Sequence, residues 1–196
     1  MGGSSRCFGD GDPLYERYHD QEWGFPVRDE LGIYERISLE AFQSGLAWIT
    51  ILRKRESFRA AFANFEPDTV ARFGQADVER LLGDAGIVRN RAKIEAAIGN
   101  ANATVALRET GTPLPGLFWS FAPSAPPPPA RTLLADLPSA TMESVELAKA
   151  LRRDGFRFVG PTTAYAAMQA CGVVNDHLAG CPVRERLATE PRRGTR

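Results

Sequence analysis

Apolar residues recur along most of the chain at the three- and four-residue spacing of amphipathic helices, and the alternation typical of strands is nearly absent. The longest pattern runs from residue 29 to about residue 52, with Asp29 as its N-cap and Gly45 weakening it late. Five further helices are predicted, at residues 56–62, 77–82, 87–107, 141–153 and 161–171. We therefore expect an all-α fold.

One acidic residue interrupts the apolar face of the longest predicted helix. At 100° per residue, the positions that share this face within an arc of about 60° are Ile33, Ile37, Glu40 and Ser44. A carboxylate there is either paired inside the core or lines a cavity, because burying an ion without a partner costs several kcal/mol. Glu40 is therefore a candidate functional residue.

The organisation predicted along the chain is a single domain at residues 1–189, followed by a polar and basic tail at 190–196 that we expect to be disordered. Residues 112–138 hold more than half of the fourteen prolines and are predicted to form an extended connector. We expect this connector to pack on the domain through Phe118, Trp119 and Phe121. The chain contains no internal repeat.

Composition narrows the class of protein. Hydrophobic residues make up 43% of the 196 residues, enough for one core, and no run approaches the roughly 20 uncharged apolar residues of a membrane span. The three cysteines are far apart and too few for a disulfide framework, and no secretion signal is evident, so we expect the cytoplasm. Lys+Arg and Asp+Glu balance at 24 each, so any nucleic-acid surface must be a local patch.

The two histidines of the chain each lie near a cysteine. Cys7 and His19 form one pair near the N-terminus, and His177 and Cys181 form the other near the C-terminus. Two sulfur and two nitrogen ligands make a tetrahedral zinc set with no open position, which is typical of a structural zinc that fastens two segments together. The alternative is that these are ordinary buried side chains without a metal.

Residues 81–94 show two apolar helical patterns joined by a tight turn between Gly83 and Gly86. This is typical of a helix-hairpin-helix, in which glycines let the backbone approach a phosphate and the second helix directs its N–H groups at the anion. Arg89, Arg91 and Lys93 add positive charge, so the motif, at about 78–101, predicts contacts with the DNA backbone. The alternative is a plain helical hairpin with a solvated basic face.

Aromatic residues crowd the first candidate metal ligands. Tyr15, Tyr18 and Trp23 surround His19 in the sequence, and Trp48 follows Glu40 by eight residues, about two turns of the same predicted helix. An enzyme that acts on a base extrudes it from the duplex and holds it between aromatic faces, with hydrogen-bonding groups reading its edge. These residues suit such a pocket. The alternative is that they fill the core and that Glu40 pairs with a core arginine.

With these residues assembled, the chain resembles the type I 3-methyladenine DNA glycosylases over nearly its whole length, from Arg6-Cys7 to Cys181. The blocks that carry the resemblance are Asp12-Pro13-Leu14-Tyr15, Tyr18-His19-Asp20, Glu22-Trp23-Gly24, Leu39-Glu40, Ser44-Gly45-Leu46-Ala47-Trp48-Ile49-Thr50, the hairpin, Phe156-Arg157-Phe158-Val159-Gly160 and Met168-Gln169-Ala170-Cys171-Gly172, followed by Asn175-Asp176-His177. One departure is that Phe8-Gly9 follows the first cysteine where members of the family usually carry a tryptophan.

The resemblance implies an all-helical helix-hairpin-helix fold whose single zinc ion, on Cys7, His19, His177 and Cys181, joins the two ends of the chain. It implies hydrolysis of the N-glycosidic bond of 3-methyladenine in double-stranded, alkylated DNA by a monomer. Glu40 matches the acid that hydrogen-bonds the extruded base, and Tyr15, Tyr18 and Trp48 match its aromatic walls. Gly45 and Leu46 match a loop that fills the gap in the duplex.

The family lacks the catalytic aspartate that related glycosylases carry downstream of the hairpin, and no acid follows Glu95 here until Glu109. No lysine-based lyase arrangement is evident either, so a monofunctional hydrolase is expected. Two rival functions are a non-catalytic DNA-binding module, which would not need Glu40 among aromatic residues, and a metal-dependent hydrolase, which would need an open coordination position.

Overall fold

The computed structural model describes residues 6–125 and 127–188, and all of its regular elements are helical. The α-helices are α1 Pro13–Gln21, α2 Glu30–Gln43, α3 Trp48–Ala61, α4 Pro67–Val70, α5 Gln75–Gly83, α6 Arg91–Glu109, α7 Leu114–Ser120, α8 Met142–Arg153, α9 Pro161–Ala170 and α10 Pro182–Ala188. Short 3-10 turns lie at Ala63–Phe65 and Leu134–Asp136. The all-α prediction is confirmed, and the predicted tail at 190–196 lies outside the described residues.

The long helix predicted at residues 29–52 is in fact two helices. Asp29 caps the first as expected, its side chain accepting a 2.7 Å hydrogen bond from the N–H of Gly32. After Gln43 the chain makes a tight turn in which Ser44 has φ −46° and ψ 117° and Gly45 has φ +83°. These are the angles of a type II turn, which favours glycine at its second central position. Glu40 and Trp48 therefore lie on different helices, contrary to expectation.

Helix α2 lies at the centre of the fold and packs against α3, α6, α7 and α9. Its side chains Ile33, Tyr34, Ile37 and Phe42 are fully buried. The ring of Phe42 lies 4.7 Å from that of Phe58 on α3, which is the start of an aromatic cluster in the main core. Burying one such side chain contributes roughly 1.5–3 kcal/mol, so this helix is a rigid platform for what it carries.

Most other predicted helices are present with shifted ends. The prediction at 56–62 is the end of α3, and the one at 77–82 lies within α5. The prediction at 87–107 starts too early, because α6 begins at Arg91, where the side chain of Asn90 accepts from the N–H of Lys93 at 3.2 Å. The predictions at 141–153 and 161–171 match α8 and α9. Helices α1, α4, α7 and α10 were not predicted.

The proline-rich connector is not wholly extended, because it contains α7. This helix starts after Pro113 with Pro115 in its first turn, where proline's missing N–H leaves no helical hydrogen bond unmade. Phe118 is fully buried as predicted, and Trp119 donates from its indole nitrogen to the carbonyl oxygen of Val27 at 2.8 Å. The connector is thus anchored at its first third, through the aromatic residues that the sequence indicated.

The two ends of the described chain meet in a second, smaller hydrophobic cluster. It joins Cys7, Tyr18 and Trp23 to Cys181, Val183 and Leu187 of the C-terminal segment. Helix α1 begins at the N-cap Asp12, whose carboxylate accepts from the N–H groups of Leu14 and Tyr15 at 3.0 and 3.3 Å. Among the described residues, none of the helices combines the length and apolar character that crossing a membrane requires.

Candidate functional site

Four side chains from the two ends of the chain converge on one buried point: Cys7, His19, His177 and Cys181. Their ligand atoms all lie within 4.8 Å of one another. The sulfur of Cys181 is 3.4 Å from His177 Nδ1 and 3.6 Å from His19 Nε2. An ion bound tetrahedrally at about 2.0–2.3 Å sets neighbouring ligand atoms about 3.3–3.8 Å apart. This group therefore has the geometry to hold a metal ion.

Each histidine of the Cys/His group is oriented by its second ring nitrogen. His19 Nδ1 lies 2.8 Å from the carboxylate of Asp20, which Arg6 also holds. The hydrogen bond from Arg6 is the main cause of the lowered pKa of Asp20. His177 Nε2 lies 3.0 Å from the carbonyl oxygen of Trp23. Partners of this kind are typical of metal-ligating histidines, because they fix the ring and its tautomer.

Burial favours the uncharged forms of Cys7 and His177. Desolvation raises the pKa of the Cys7 thiol to about 12, although the N–H of Leu178 donates to its sulfur at 3.1 Å and acts in the opposite direction. Desolvation likewise lowers the pKa of His177 to about 4. A divalent cation at this point would compensate the charge of two thiolates and leave both histidines neutral, which is the form that binds metals.

Glu40 lies on α2 with 6% of its surface exposed. Desolvation raises the pKa of its carboxyl group to about 8, and the charge of Arg36 acts weakly in the opposite direction. Within the described part of the chain, no hydrogen bond or ion pair reaches this carboxyl group. Arg36 instead donates to the carbonyl oxygen of Gly32 at 3.1 Å. The alternative in which Glu40 pairs with a core arginine is therefore wrong.

Aromatic rings from two helices lie beside this carboxyl group. The rings of Tyr18 on α1 and Trp48 on α3 are 5.3 Å apart and tilted by 43°. Burial raises the pKa values of Tyr15 and Tyr18, and the charge of Glu40 is the next cause for both, so their hydroxyl groups lie within its field. The indole N–H of Trp48 is buried and has no hydrogen-bond partner among the described residues. We call these four residues the Glu40 pocket.

The Glu40 pocket offers aromatic faces, an unpartnered acid and an unpartnered N–H donor. A flat heterocycle with donors and acceptors on its edge carries the groups that a carboxyl group and an indole N–H bind. Positive charge on that heterocycle would be attracted by the ring faces, at about 0.5–2 kcal/mol, and by the carboxyl group. The geometry is therefore suited to binding a cationic base.

Trp23 does not join the Glu40 pocket as predicted. Its ring centroid lies 4.6 Å from that of His177 and 5.0 Å from that of Phe8, so it packs against the Cys/His group. Phe8, which the sequence reasoning treated only as a departure from the family pattern, lies between the two sites. Its ring is 4.9 Å from Tyr15 and 5.0 Å from His19. Because Phe8 directly follows the candidate ligand Cys7 in the sequence, its place beside the Cys/His group could have been predicted.

The turn between α2 and α3 presents Gly45 and Leu46 to solvent. Leu46 exposes 40% of its surface, and its N–H donates to the carbonyl oxygen of Gln43 at 2.6 Å. The side chain of Lys93 on α6 binds the backbone of this turn. Its ammonium donates to the carbonyl oxygens of Phe42 and Ser44 at 2.9 and 2.7 Å. The side chain of Lys93 is buried and already bound, so these contacts do not support its predicted contact with a phosphate, which stays a prediction.

The hairpin between α5 and α6 is exposed at Gly83, where a side chain would meet nothing within 4 Å. A Cβ at Gly86 would come within 2.9 Å of Ser57, so this glycine is needed where the turn packs on α3. Lys54 of α3 also binds the turn, donating to the carbonyl oxygen of Ala85 at 2.9 Å. Arg89 is exposed and makes no ion pair within the described residues, which leaves it available to an anion.

Comparison with known proteins links this geometry to one family. The sequence pattern of the methyladenine glycosylase family matches residues 8–185. The DNA-3-methyladenine glycosylase 1 of Escherichia coli K12 is 50% identical over 170 residues, which cover 87% of this chain and 91% of that protein. The DNA-3-methyladenine glycosylase of Haemophilus influenzae is 42% identical over 171 residues, covering 87% and 92%.

Solved structures give the same result. A crystal structure of a 3-methyladenine DNA glycosylase I superposes with a TM-score of 0.87 at 47% identity, covering 91% of this chain and 98% of the other. The Staphylococcus aureus protein, whose structure concerns the recognition of 3-methyladenine, superposes with a TM-score of 0.87 at 33% identity, covering 93% and 98%. The matched residues 8–185 include the Glu40 pocket and three members of the Cys/His group, His19, His177 and Cys181.

Proposed function

The chain belongs to the methyladenine glycosylase family, and we propose that the Glu40 pocket is where it removes 3-methyladenine from alkylated DNA. Its relatives are DNA-3-methyladenine glycosylases, so the chain is an enzyme of base-excision repair. The observation that carries the placement of the reaction is the unpartnered, buried carboxyl group among aromatic rings. A pocket with unmet polar groups is stabilised by the ligand that meets them.

The substrate supplies much of its own activation. Adenine methylated at a ring nitrogen carries positive charge in DNA, so when the bond between C1′ and the base breaks, its electron pair neutralises the base. The sugar acquires the positive charge, and water adds at C1′, loses a proton and leaves an abasic site. Glu40, Tyr15, Tyr18 and Trp48 hold and orient the extruded base. Ionisation of Glu40 is favoured by the bound cation, because opposite charge lowers the pKa of an acid.

We propose simple hydrolysis without strand cleavage. A lyase forms a Schiff base through an amine, and the chain has three lysines. Lys54 is bound to the hairpin turn, Lys93 to the end of α2, and Lys149 to Glu146 at 2.8 Å. None of these amines therefore belongs to the Glu40 pocket.

For the contact with DNA, we propose that Leu46 enters the gap left by the extruded base. We also propose that α5, α6 and their turn act as a helix-hairpin-helix, with Gly83, Gly86 and Arg89 beside a phosphate. The exposure of Leu46 and the unpaired guanidinium of Arg89 support these roles. Such backbone contacts bind double-stranded DNA without reading its sequence. A monomer suffices, because the exposed turn and hairpin belong to one chain.

For the Cys/His group, we propose one zinc ion. Two thiolates and two imidazoles are the donors that zinc prefers, and four protein ligands leave no position for a reacting water. The ion would fasten the N-terminal segment to the C-terminal one. Three cysteines without a disulfide among them are consistent with the reducing cytoplasm, where we expect the enzyme to act.

The experiment that tests the placement of the reaction is single-turnover release of 3-methyladenine from methylated duplex DNA, in buffer containing EDTA. We expect Glu40→Gln to lower the rate about 10- to 100-fold, because it removes the charge that meets the cationic base. Glu35→Gln is the matched control. Glu35 is another buried acid of α2, but it is paired with Arg59 at 2.7 Å, so its loss should affect stability rather than excision. Equal rates for wild type and Glu40→Gln would remove Glu40 from the mechanism.

A further inference from the structure

A second exposed apolar side chain lies on the loop between α8 and α9. Phe158 exposes 42% of its surface, whereas its neighbours Phe156 and Val159 expose 2% and 1%. Its φ is +56°, and outside the turn at 63–65 it is the only described residue other than glycine with a positive φ. Such a conformation costs on the order of 1–3 kcal/mol and persists only where the surroundings enforce it.

Asn100 of α6 is the residue that enforces the backbone before Phe158. Its side chain is fully buried. The amide nitrogen donates to the carbonyl oxygen of Arg157 at 3.1 Å, and the amide oxygen accepts from the N–H of Arg157 at 2.7 Å. Both backbone groups of Arg157 are therefore fixed by one buried side chain. The exposed ring of Phe158 comes directly after this fixed residue.

The same helix holds the turn that carries Leu46. Lys93, which binds that turn, and Asn100 are seven residues apart on α6. Seven residues are about two helical turns, so both side chains leave one face of the helix about 10.5 Å apart. Helix α6 thus supports both the turn that carries Leu46 and the loop that carries Phe158.

The charges beside Phe158 favour an anionic partner. Arg157 is exposed and makes no ion pair within residues 6–125 and 127–188. Arg153 is also exposed, and within the described residues it forms an ion pair with Asp154 at 3.6 Å. Met142, which is more exposed than Phe158, stands beside the acidic residue Glu143 instead. An exposed aromatic ring with arginine residues close to it in the sequence is typical of surfaces that bind nucleic acid.

We propose that Phe158 is a second contact to the DNA duplex, which packs its ring against the bases beside the gap that Leu46 fills. This inference rests on the proposed function, and it adds a strained aromatic residue to the recognition surface. The backbone strain keeps the ring exposed in the free enzyme, where it would otherwise turn toward the protein. The α8–α9 loop is then a DNA-binding element rather than a simple connection.

The test is the dissociation constant for a duplex containing a tetrahydrofuran abasic-site analogue, measured by fluorescence anisotropy. We expect Phe158→Ala and Phe158→Gly each to weaken binding about 10-fold, within the range known for loss of one base–aromatic stack. Phe158→Gly should also raise the melting temperature by about 2–4 °C, because glycine adopts a positive φ without strain. Met142→Ala, at the most exposed apolar residue, should change neither value.

The slope of log Kd against log salt distinguishes the ring from its charged neighbour. It should stay unchanged in both Phe158 variants, since a ring neutralises no phosphate, whereas Arg157→Gln should reduce it by about 0.9. Kd values within twofold of wild type for both Phe158 variants would overturn the inference. If the wild type releases 3-methyladenine while these variants bind normally, only this inference fails; absence of release by the wild type would instead count against the proposed function.

Discussion

The Cys/His group and the Glu40 pocket are neighbours on α1, which contributes His19 to the first and Tyr18 to the second. The two sites differ in whether their buried polar atoms have hydrogen-bond partners. In the Cys/His group, each ring nitrogen that points away from the centre has a partner, Asp20 for His19 and the Trp23 carbonyl for His177. In the Glu40 pocket, the carboxyl group and the indole N–H of Trp48 have none among the described residues.

Because of this difference, we expect the Cys/His group to stabilise the fold and the Glu40 pocket to destabilise it. A buried polar group without a partner costs about 1–3 kcal/mol, and an ionised one costs more. The Cys/His group could hold a metal ion, and with one it would fasten the two ends of the chain. The Glu40 pocket is completed only by a ligand, so the free enzyme bears its cost and the substrate benefits.

Loss of a ligand in the Cys/His group should have the largest effect. We expect Cys181→Ala to abolish stoichiometric zinc and to lower the free energy of unfolding by about 3–5 kcal/mol, because the metal links segments that are distant in the chain. Cys171→Ala is the matched control. It changes another fully buried cysteine that lies outside the group, so zinc should remain and the loss should be about 1 kcal/mol.

Metal analysis and urea denaturation of the two variants would decide between a staple and ordinary packing. If Cys181→Ala and Cys171→Ala lose similar stability, and the wild type contains no metal after purification without chelators, the Cys/His group is a packed cluster. The Cys/His group would then differ from the Glu40 pocket only in that its outer ring nitrogens have hydrogen-bond partners.

The pH dependence of stability should show the cost of the Glu40 pocket. The pKa of Glu40 is about 8 in the folded protein against 4.5 for the ordinary side chain, so the unfolded state releases its proton first as pH rises. Its favourable contribution is complete below pH 4.5 and is lost as the pH rises through 8. We therefore expect Glu40→Gln to gain stability relative to wild type by up to about 1.4 kcal/mol per pH unit in this range.

Urea denaturation of both proteins at intervals of one pH unit measures this difference directly. The matched comparison is Glu35→Gln, whose wild-type carboxylate already has Arg59 as a partner and which should gain nothing at high pH. A constant difference between wild type and Glu40→Gln from pH 5 to pH 8 would mean that Glu40 is solvated or paired in the folded enzyme.

The two regions are alike in what the sequence predicted of them. The four ligands of the Cys/His group could be identified because their chemistry is rare in this chain, with two histidines and three cysteines in all. The family resemblance then placed them together. Glu40 could be identified because a carboxylate on an apolar helical face is exceptional. In both regions the residue type carried the signal.

What failed was the placement of residues in three dimensions. Trp48 stands at helical spacing from Glu40, and local periodicity continues through the turn at Gly45 without revealing that the helix stops there. The basic segment around Lys93 predicts an exposed ammonium group, but the carbonyl oxygens that bind this group belong to the end of α2 and the turn after it. Trp23 packs against His177, from the opposite end of the chain. The positions of all three residues depend on contacts between segments that are distant in the sequence, which local periodicity does not reveal.

Lys93 links the rigid core to the turn that presents Leu46, and changing it should have a smaller effect than removing a ligand of the Cys/His group. Lys93→Met keeps the aliphatic stem and removes the ammonium, so the carbonyl oxygens of Phe42 and Ser44 lose their donor. The turn that presents Leu46 should then be less ordered. We expect single-turnover release of 3-methyladenine to fall about 10-fold, because small displacements of a positioning element slow the reaction strongly.

The salt dependence of binding separates this positioning role from a phosphate contact. For Lys93→Met we expect an unchanged slope of log Kd against log salt on undamaged duplex, whereas Arg89→Met, at an exposed and unpaired guanidinium, should reduce the slope by about 0.9. Lys93→Arg should restore part of the rate, since a guanidinium can still donate to two carbonyl oxygens. A reduced slope for Lys93→Met would return this residue to the DNA surface and leave the turn at Leu46 without its anchor in the core.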